Sequence, residues 1–345
     1  MLLGSGTYGK VLEQDGKAVK TFAKLSYLVQ EYAALKYMDH CKYVVQCKGV
    51  NFTKLELQME LYDCSLRKWM QDGHEVTAKL LHNIIMGLIE VHDRKLAHGD
   101  LKPGNILIRK QPLKAVLGDC GFVSIDKYAK VDCTASMYRD PKFMYDTKHD
   151  MYSLGIILLE VMSKKGIKDG TNYEELNAVI NDRIAHDNWR KIILSLVQED
   201  RQRRPTAREL LKILYKEDPP MWTYTAVKVG MLSQHDRVIV SNVTSKMRQH
   251  IQSTIKHLTQ EYDLNRGQKV YGALVSYLEK HNIVHNYSGY VLTSLFIISS
   301  LFSKNRFKEK KLLTMYNDDI NSELLHKLLE QLLTDKTFLN ILFHP

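Results

Sequence analysis

Apolar and polar residues alternate over short stretches at the start of the chain and then change to a helical spacing. Within the first sixty residues, short strands separated by glycines are predicted at 2–3, 11–13 and 18–22. A helix is predicted from about residue 24 to 38, with Leu28, Glu31, Leu35 and Met38 along one face. Two further strands are expected at 44–51 and 55–61. From about 65 to 215 the spacing is mainly helical, interrupted by loops near 98–125. The dipeptide Pro219–Pro220 cannot lie inside a helix and marks a boundary. Beyond it, 221–345 reads as amphipathic helices without a glycine-rich loop.

A length of 345 residues exceeds what one hydrophobic core usually holds, so two domains are expected. The composition, 44% hydrophobic and 26% charged, is that of a globular protein. The longest apolar run, 290–302, is too short and too rich in serine to span a bilayer. The first residues lack the zones of a signal peptide, and the five cysteines show no metal-like pairing. Reduced thiols and an intracellular, cytoplasmic or nuclear location are the resulting expectation. The net charge of +10 raises the question of nucleic acid. Residues 221–345 carry 15 basic and 10 acidic side chains, and residues 1–220 carry 34 and 29. The excess is therefore spread rather than gathered on one module, which fits a solvated basic surface with no strong nucleic-acid signal.

Candidate chemistry begins with GSGTYGKV at 4–11. Gly4, Gly6 and Gly9 would let a strand–turn–strand backbone approach phosphates with no Cβ in the way. Such glycines also occur in dinucleotide sites, but those need a helix directly afterwards, and Val11 leads into further strands. Lys20, on a strand after Ala18 and Val19, can reach phosphate oxygens. Glu31 on the following helix could hold it by an ion pair, provided that the intervening loop is short. HGDLKPGNILI at 98–108 and LGDCGF at 117–122 supply the rest. Asp100 would orient a substrate hydroxyl, and Lys102 would neutralise a migrating phosphoryl group. Asn105 and Asp119 would bind Mg2+, a hard cation that takes oxygen ligands rather than thiols or imidazoles.

Taken in order, these motifs make residues 1–218 resemble the protein kinase family, and the glycine loop resembles that of cyclin-dependent kinases. The likeness continues through YRDPK at 138–142, Asp150 in HDMYSLG and Arg204 in RRPTAREL. It implies an α+β, bilobal fold with an N-lobe at 1–62 and a C-lobe at 63–218, and ATP as co-substrate. It also implies a hinge at Met59, Glu60 and Leu61 whose backbone hydrogen-bonds adenine, with Val11, Ala18 and Leu107 around the base. Lys102 is the choice of the serine/threonine enzymes, so protein substrates are implied.

Several positions depart from the family pattern. Gly99 stands where many regulated kinases carry a phosphate-gripping arginine, which points to constitutive or partner-driven activation. Cys120 replaces a phenylalanine and should loosen packing there. Lys142 replaces a glutamate that pairs with the position of Arg204, so that anchor must differ. Ala135 takes the place of a threonine between Thr134 and Ser136. The first strand should be very short.

Residues 219–345 show a second resemblance, to a cyclin box, through 247–265, 275–284, 290–302 and 312–333 in that order. The all-α, cyclin-like domain would then be an intramolecular partner, tethered at high effective concentration. The gripping Lys–Glu pair of cyclins is replaced by Ser300 and Leu329, with Glu330 adjacent. A different class of function, a pseudokinase scaffold or nucleotide-binding interaction protein, would need none of Lys20, Glu31, Asp100, Lys102, Asn105 and Asp119.

Overall fold

The computed structural model describes residues 2–6, 9–123, 137–142, 146–218, 274, 277, 278, 280, 281, 287–302 and 322–343. Pro219–Pro220, the stretch 247–265, residues 134–136 and 312–321 lie outside the described residues. The chain divides into two compact units. One comprises Met1–Asp39, Cys47–Met59 and Thr223–Pro345, and the other His40–Gln46 and Glu60–Trp222.

The first unit is built on an antiparallel sheet of β1 (Leu2–Gly6), β2 (Gly9–Gln14), β3 (Lys17–Phe22), β4 (Cys47–Asn51) and β5 (Glu56–Glu60), in the order β1-β2-β3-β5-β4. Asp15 and Gly16, both at positive φ, make the two-residue turn that joins β2 to β3 with Gln14 opposite Lys17. Two residues, Ala23 and Lys24, separate β3 from helix α1 (Leu25–Tyr37). Eleven of the thirteen residues of α1 are buried, so the helix is covered on nearly every face and not along one stripe. The sheet covers part of it. The remainder is covered by α8 (Tyr287–Phe302), α9 (Ser322–Thr334) and α10 (Lys336–Phe343).

Aromatic packing fixes that arrangement. Tyr37 stacks on Phe343 with ring centroids 4.6 Å apart. Tyr32 meets Phe52 edge-on, and Phe52 stacks on His326, whose Nδ1 lies 3.4 Å from Thr53 Oγ1. Helix α8 contains Thr293, Ser294 and Ser300 without exposing them, because each hydroxyl donates to the carbonyl one turn earlier. Leu329 is likewise buried, and neither it nor Ser300 carries a charge. Asp335 starts α10 by accepting from Phe338 N at 2.8 Å, and it accepts from Lys280 Nζ at 2.7 Å. Among the described residues no helix is long and apolar enough to cross a membrane.

The second unit is mainly helical, with α2 (Leu66–Gln71), α3 (Ala78–Asp93), α4 (Thr147–Ser163), α5 (Tyr173–Arg183), α6 (Asp187–Leu196) and α7 (Ala207–Tyr215). Side-chain caps mark the starts of α3 (Thr77) and α4 (Asp146), and capping boxes those of α5 (Asn172 with Glu175) and α7 (Thr206 with Glu209). A small sheet joins β6 (Cys64–Ser65), β7 (Ile106–Arg109) and β8 (Lys114–Leu117), the last two where the sequence suggests only loops. Strands of two to four residues are too short to display a period of two. The strand expected over 44–51 is shorter too. Val44 bridges to Leu117, and Val45 N donates to Leu117 O at 2.8 Å, leaving only Cys47–Asn51 to the larger sheet.

Candidate active site

Candidate residues fall in two groups, one in each compact unit. In the first, β1 and β2 form a hairpin with Gly4 opposite Val11 and Gly6 opposite Gly9. A Cβ at Gly9 would sit 1.9 Å from Thr21 O, so only glycine lets β2 and β3 approach there. A Cβ at Gly4 would meet nothing within 4 Å, which leaves open space above that strand. Val11 faces Lys20 across the β2–β3 pair, so Val11, Ala18 and Lys20 share one face of the sheet. Lys20 Nζ donates to Glu31 Oε2 at 2.6 Å, with both side chains buried. The two-residue connection to α1 is what brings this pair together. Away from water, the ion pair fixes the ammonium with little freedom.

In the second unit the segment 98–105 folds back on itself. Asp100 Oδ2 accepts from Lys102 Nζ at 2.7 Å and from Asn105 Nδ2 at 2.9 Å. Asn105 Nδ2 also donates to Asp100 O. The nitrogen end of the amide is therefore turned to Asp100, and its oxygen is the end presented to any cation. Gly118 N donates to Asn105 O at 2.7 Å, which brings the residue before Asp119 onto Asn105. Asp119 takes a left-handed conformation (φ 54°) and precedes a short 3-10 turn at Cys120–Phe122. One carboxylate and one amide oxygen suit magnesium, which keeps several waters and leans on phosphate oxygens. No group of three or more His, Cys, Asp or Glu side chains that could hold a metal occurs among the described residues. Leu107 lies against Gly118, where a Cβ would come within 2.9 Å of Leu107 Cδ1.

Helix α4 supports this loop. The fully buried Asp150 accepts from His98 N at 2.7 Å, Gly99 N at 2.9 Å and His92 Nε2 at 2.9 Å. Burial alone would raise the Asp150 carboxyl, but the His92 hydrogen bond and the neighbouring imidazoles hold it below its ordinary value. His98 is buried and its Nε2 lies 2.9 Å from Gly118 O. Gly99 sits at φ 80°, a left-handed conformation that explains glycine at this position on backbone grounds alone. Cys120 is completely buried. The hinge candidates Glu60 and Leu61 begin the second unit's long segment. Glu60 N donates to Gln46 O, while its carboxylate accepts from Arg109 Nη2 at 2.8 Å and Tyr62 OH at 3.0 Å.

The anchor of Arg204 differs from the family pattern, as Lys142 requires. Asp140 takes the place of the missing glutamate, receiving Arg204 Nη1 at 2.6 Å with both side chains fully buried. Tyr173 OH donates to the same carboxylate at 2.6 Å. Burial pushes the Asp140 carboxyl up, but Arg204 and Tyr173 outweigh it and hold the group low. Lys142 points elsewhere and pairs with the exposed Glu199 at 3.3 Å. The signal for Asp140 was present in YRDPK, two positions before the substituted lysine. A second cluster that sequence reasoning did not find joins Arg67, Glu160 and Tyr138. Arg67 donates to both partners, and the Tyr138 hydroxyl donates to Glu160.

The protein kinase domain matches residues 1–220. The chain belongs to the protein kinase family. Among its relatives, eukaryotic translation initiation factor 2-alpha kinase 1 of Mus musculus is 27% identical over 32% of this chain and 24% of its own length. Mitogen-activated protein kinase 4 of Arabidopsis thaliana is 26% identical over 58% of this kinase chain and 64% of its own length. The "Probable serine/threonine-protein kinase glkA" of Dictyostelium discoideum is 28% identical over 49% and 40%. The chain thus spans less than two thirds of the length of each of these kinases.

Proposed function

We propose that this chain is a serine/threonine protein kinase that transfers the terminal phosphoryl group of ATP to protein hydroxyls. The observation that carries the proposal is the convergence of Lys102 and Asn105 on the Asp100 carboxylate. Asp100 is placed to accept the proton of an incoming hydroxyl, and Lys102 beside it offsets charge on the transferred group. Lys20, fixed by Glu31, holds phosphate oxygens, and the open space above Gly4 admits them closely. Magnesium held by Asn105 and Asp119 would neutralise the phosphates. The N–H of Glu60 is engaged by Gln46, so the backbone group that Glu60 can present to adenine is its carbonyl. Asp100→Asn should lower the phosphorylation rate by at least about 100-fold. ATP affinity should stay within a few-fold, because Asp100 acts on the hydroxyl and not on the nucleotide. Equal rates in wild type and variant would instead favour a pseudokinase scaffold.

The second part of the proposal is that the helices after residue 220 form a cyclin-like regulator acting in cis. Its support is the cover that α8, α9 and α10 add to that of the sheet over α1, the helix that bears Glu31. A helix held on nearly every face keeps its carboxylate in register with Lys20. Built-in activation would also suit a chain with Gly99 in place of a phosphate-gripping arginine.

A further inference from the structure

We propose that the loop 164–172, between α4 and α5, recognises acidic residues flanking the acceptor hydroxyl of a protein substrate. This inference rests on the kinase reading. The loop carries Lys164, Lys165 and Lys168 against one aspartate, Asp169, and all three lysines are exposed. Among the described residues none of the three has an ion-pair partner.

The loop is built rather than loose. Ser163 Oγ donates to Lys165 O and accepts from Lys165 N. Thr171 closes a turn on Lys168 O through both its backbone N–H and its hydroxyl. Arg183 Nη1 donates to Gly166 O at 3.0 Å. Gly166 rests on Met137, where a Cβ would come within 3.2 Å of the Met137 methyl group. The loop therefore borders the segment 137–142 at Met137.

Helix α4 ties this region to the acceptor site. Asp150 near its start holds the backbone of His98 and Gly99, next to Asp100. One turn on, Ser153 Oγ donates to Tyr138 O at 2.7 Å, and Glu160 further on receives the Tyr138 hydroxyl. At 1.5 Å per residue, the lysines at the end of α4 lie about 20 Å along the axis from Asp150. An extended peptide covers that span in about six residues. Acidic side chains within that distance of the acceptor are the partners that such a surface fits.

The test uses the full chain and synthetic serine peptides flanked by alanine, glutamate or lysine for six residues on either side. The glutamate peptides should be preferred about tenfold in kcat/KM, through KM, with the preference eroding as salt rises. The triple variant Lys164→Glu, Lys165→Glu, Lys168→Glu should lose that preference while keeping its rate on the alanine peptide. No phosphorylation of any peptide would overturn the kinase reading and this one with it. Phosphorylation of the alanine peptide with no glutamate preference, or a preference unchanged in the triple variant, would overturn the lysine surface alone. So would binding of an RNA oligonucleotide, lost in the triple variant, without discrimination among peptides.

Discussion

Gly99 shows how one residue can be misjudged when only its lost side chain is considered. Read as a missing arginine, it concerns regulation; read as a backbone, it is a residue at φ 80° whose N–H reaches Asp150. A Cβ in that conformation crowds the following carbonyl, so Gly99→Ala should destabilise the fold by about 1–2 kcal/mol. Chemical denaturation should show this as a lower midpoint with an unchanged slope, and an unchanged midpoint would refute it. At this scale much of the site was legible in the sequence. The Lys20–Glu31 pair forms because the connection is short, and Asp100, Lys102 and Asn105 are close in the chain and meet through one turn. Asp140 stands in the YRDPK motif, but its pairing with Arg204 was not legible, because 64 residues separate them and the motif suggested another position.

Among the elements, α1 best separates pattern from packing. Its spacing predicts one face bearing Leu28, Glu31, Leu35 and Met38, yet Ser26, Gln30 and Tyr32 are buried as well. The cover comes from helices some 300 residues further on, which no local period can reveal. The strands β7 and β8 were illegible for the opposite reason, since they are too short for any period. If α10 biases α1 toward the Lys20–Glu31 pairing, trimming the stacked ring should weaken catalysis. Phe343→Leu should lower kcat/KM by up to about tenfold, which corresponds to about 1.4 kcal/mol of differential contact. A reduced Tm with unchanged kcat/KM would mean that α10 only packages the helix.

On the scale of the whole molecule, buried titratable groups set how the protein meets acid. Burial lowers the pKa of His149 from 6.5, so the folded state resists its protonation. The stability it contributes is present above pH 6.5 and is lost as pH falls below that value toward the depressed pKa. Asp150, Asp140 and Asp335 are held below 3.8, so their contribution persists to lower pH and is lost only as pH falls beneath that value. Tm should therefore decline in two stages on acidification, and His149→Gln should remove the upper stage. A single-stage decline beginning near pH 4 would contradict the role of His149.

The first compact unit draws on three stretches of chain, Met1–Asp39, Cys47–Met59 and Thr223–Pro345. Tyr37 leaves the ribosome long before Phe343, its stacking partner, has been translated. At about 5–20 residues per second the interval is roughly 15–60 s. Until α8 and α9 have been made, late in that interval, the apolar surface of α1 lacks the cover that those helices give it. Nascent α1 is thus a natural substrate for chaperones that hold exposed apolar helices, and the unit completes itself only after the second one has been synthesised.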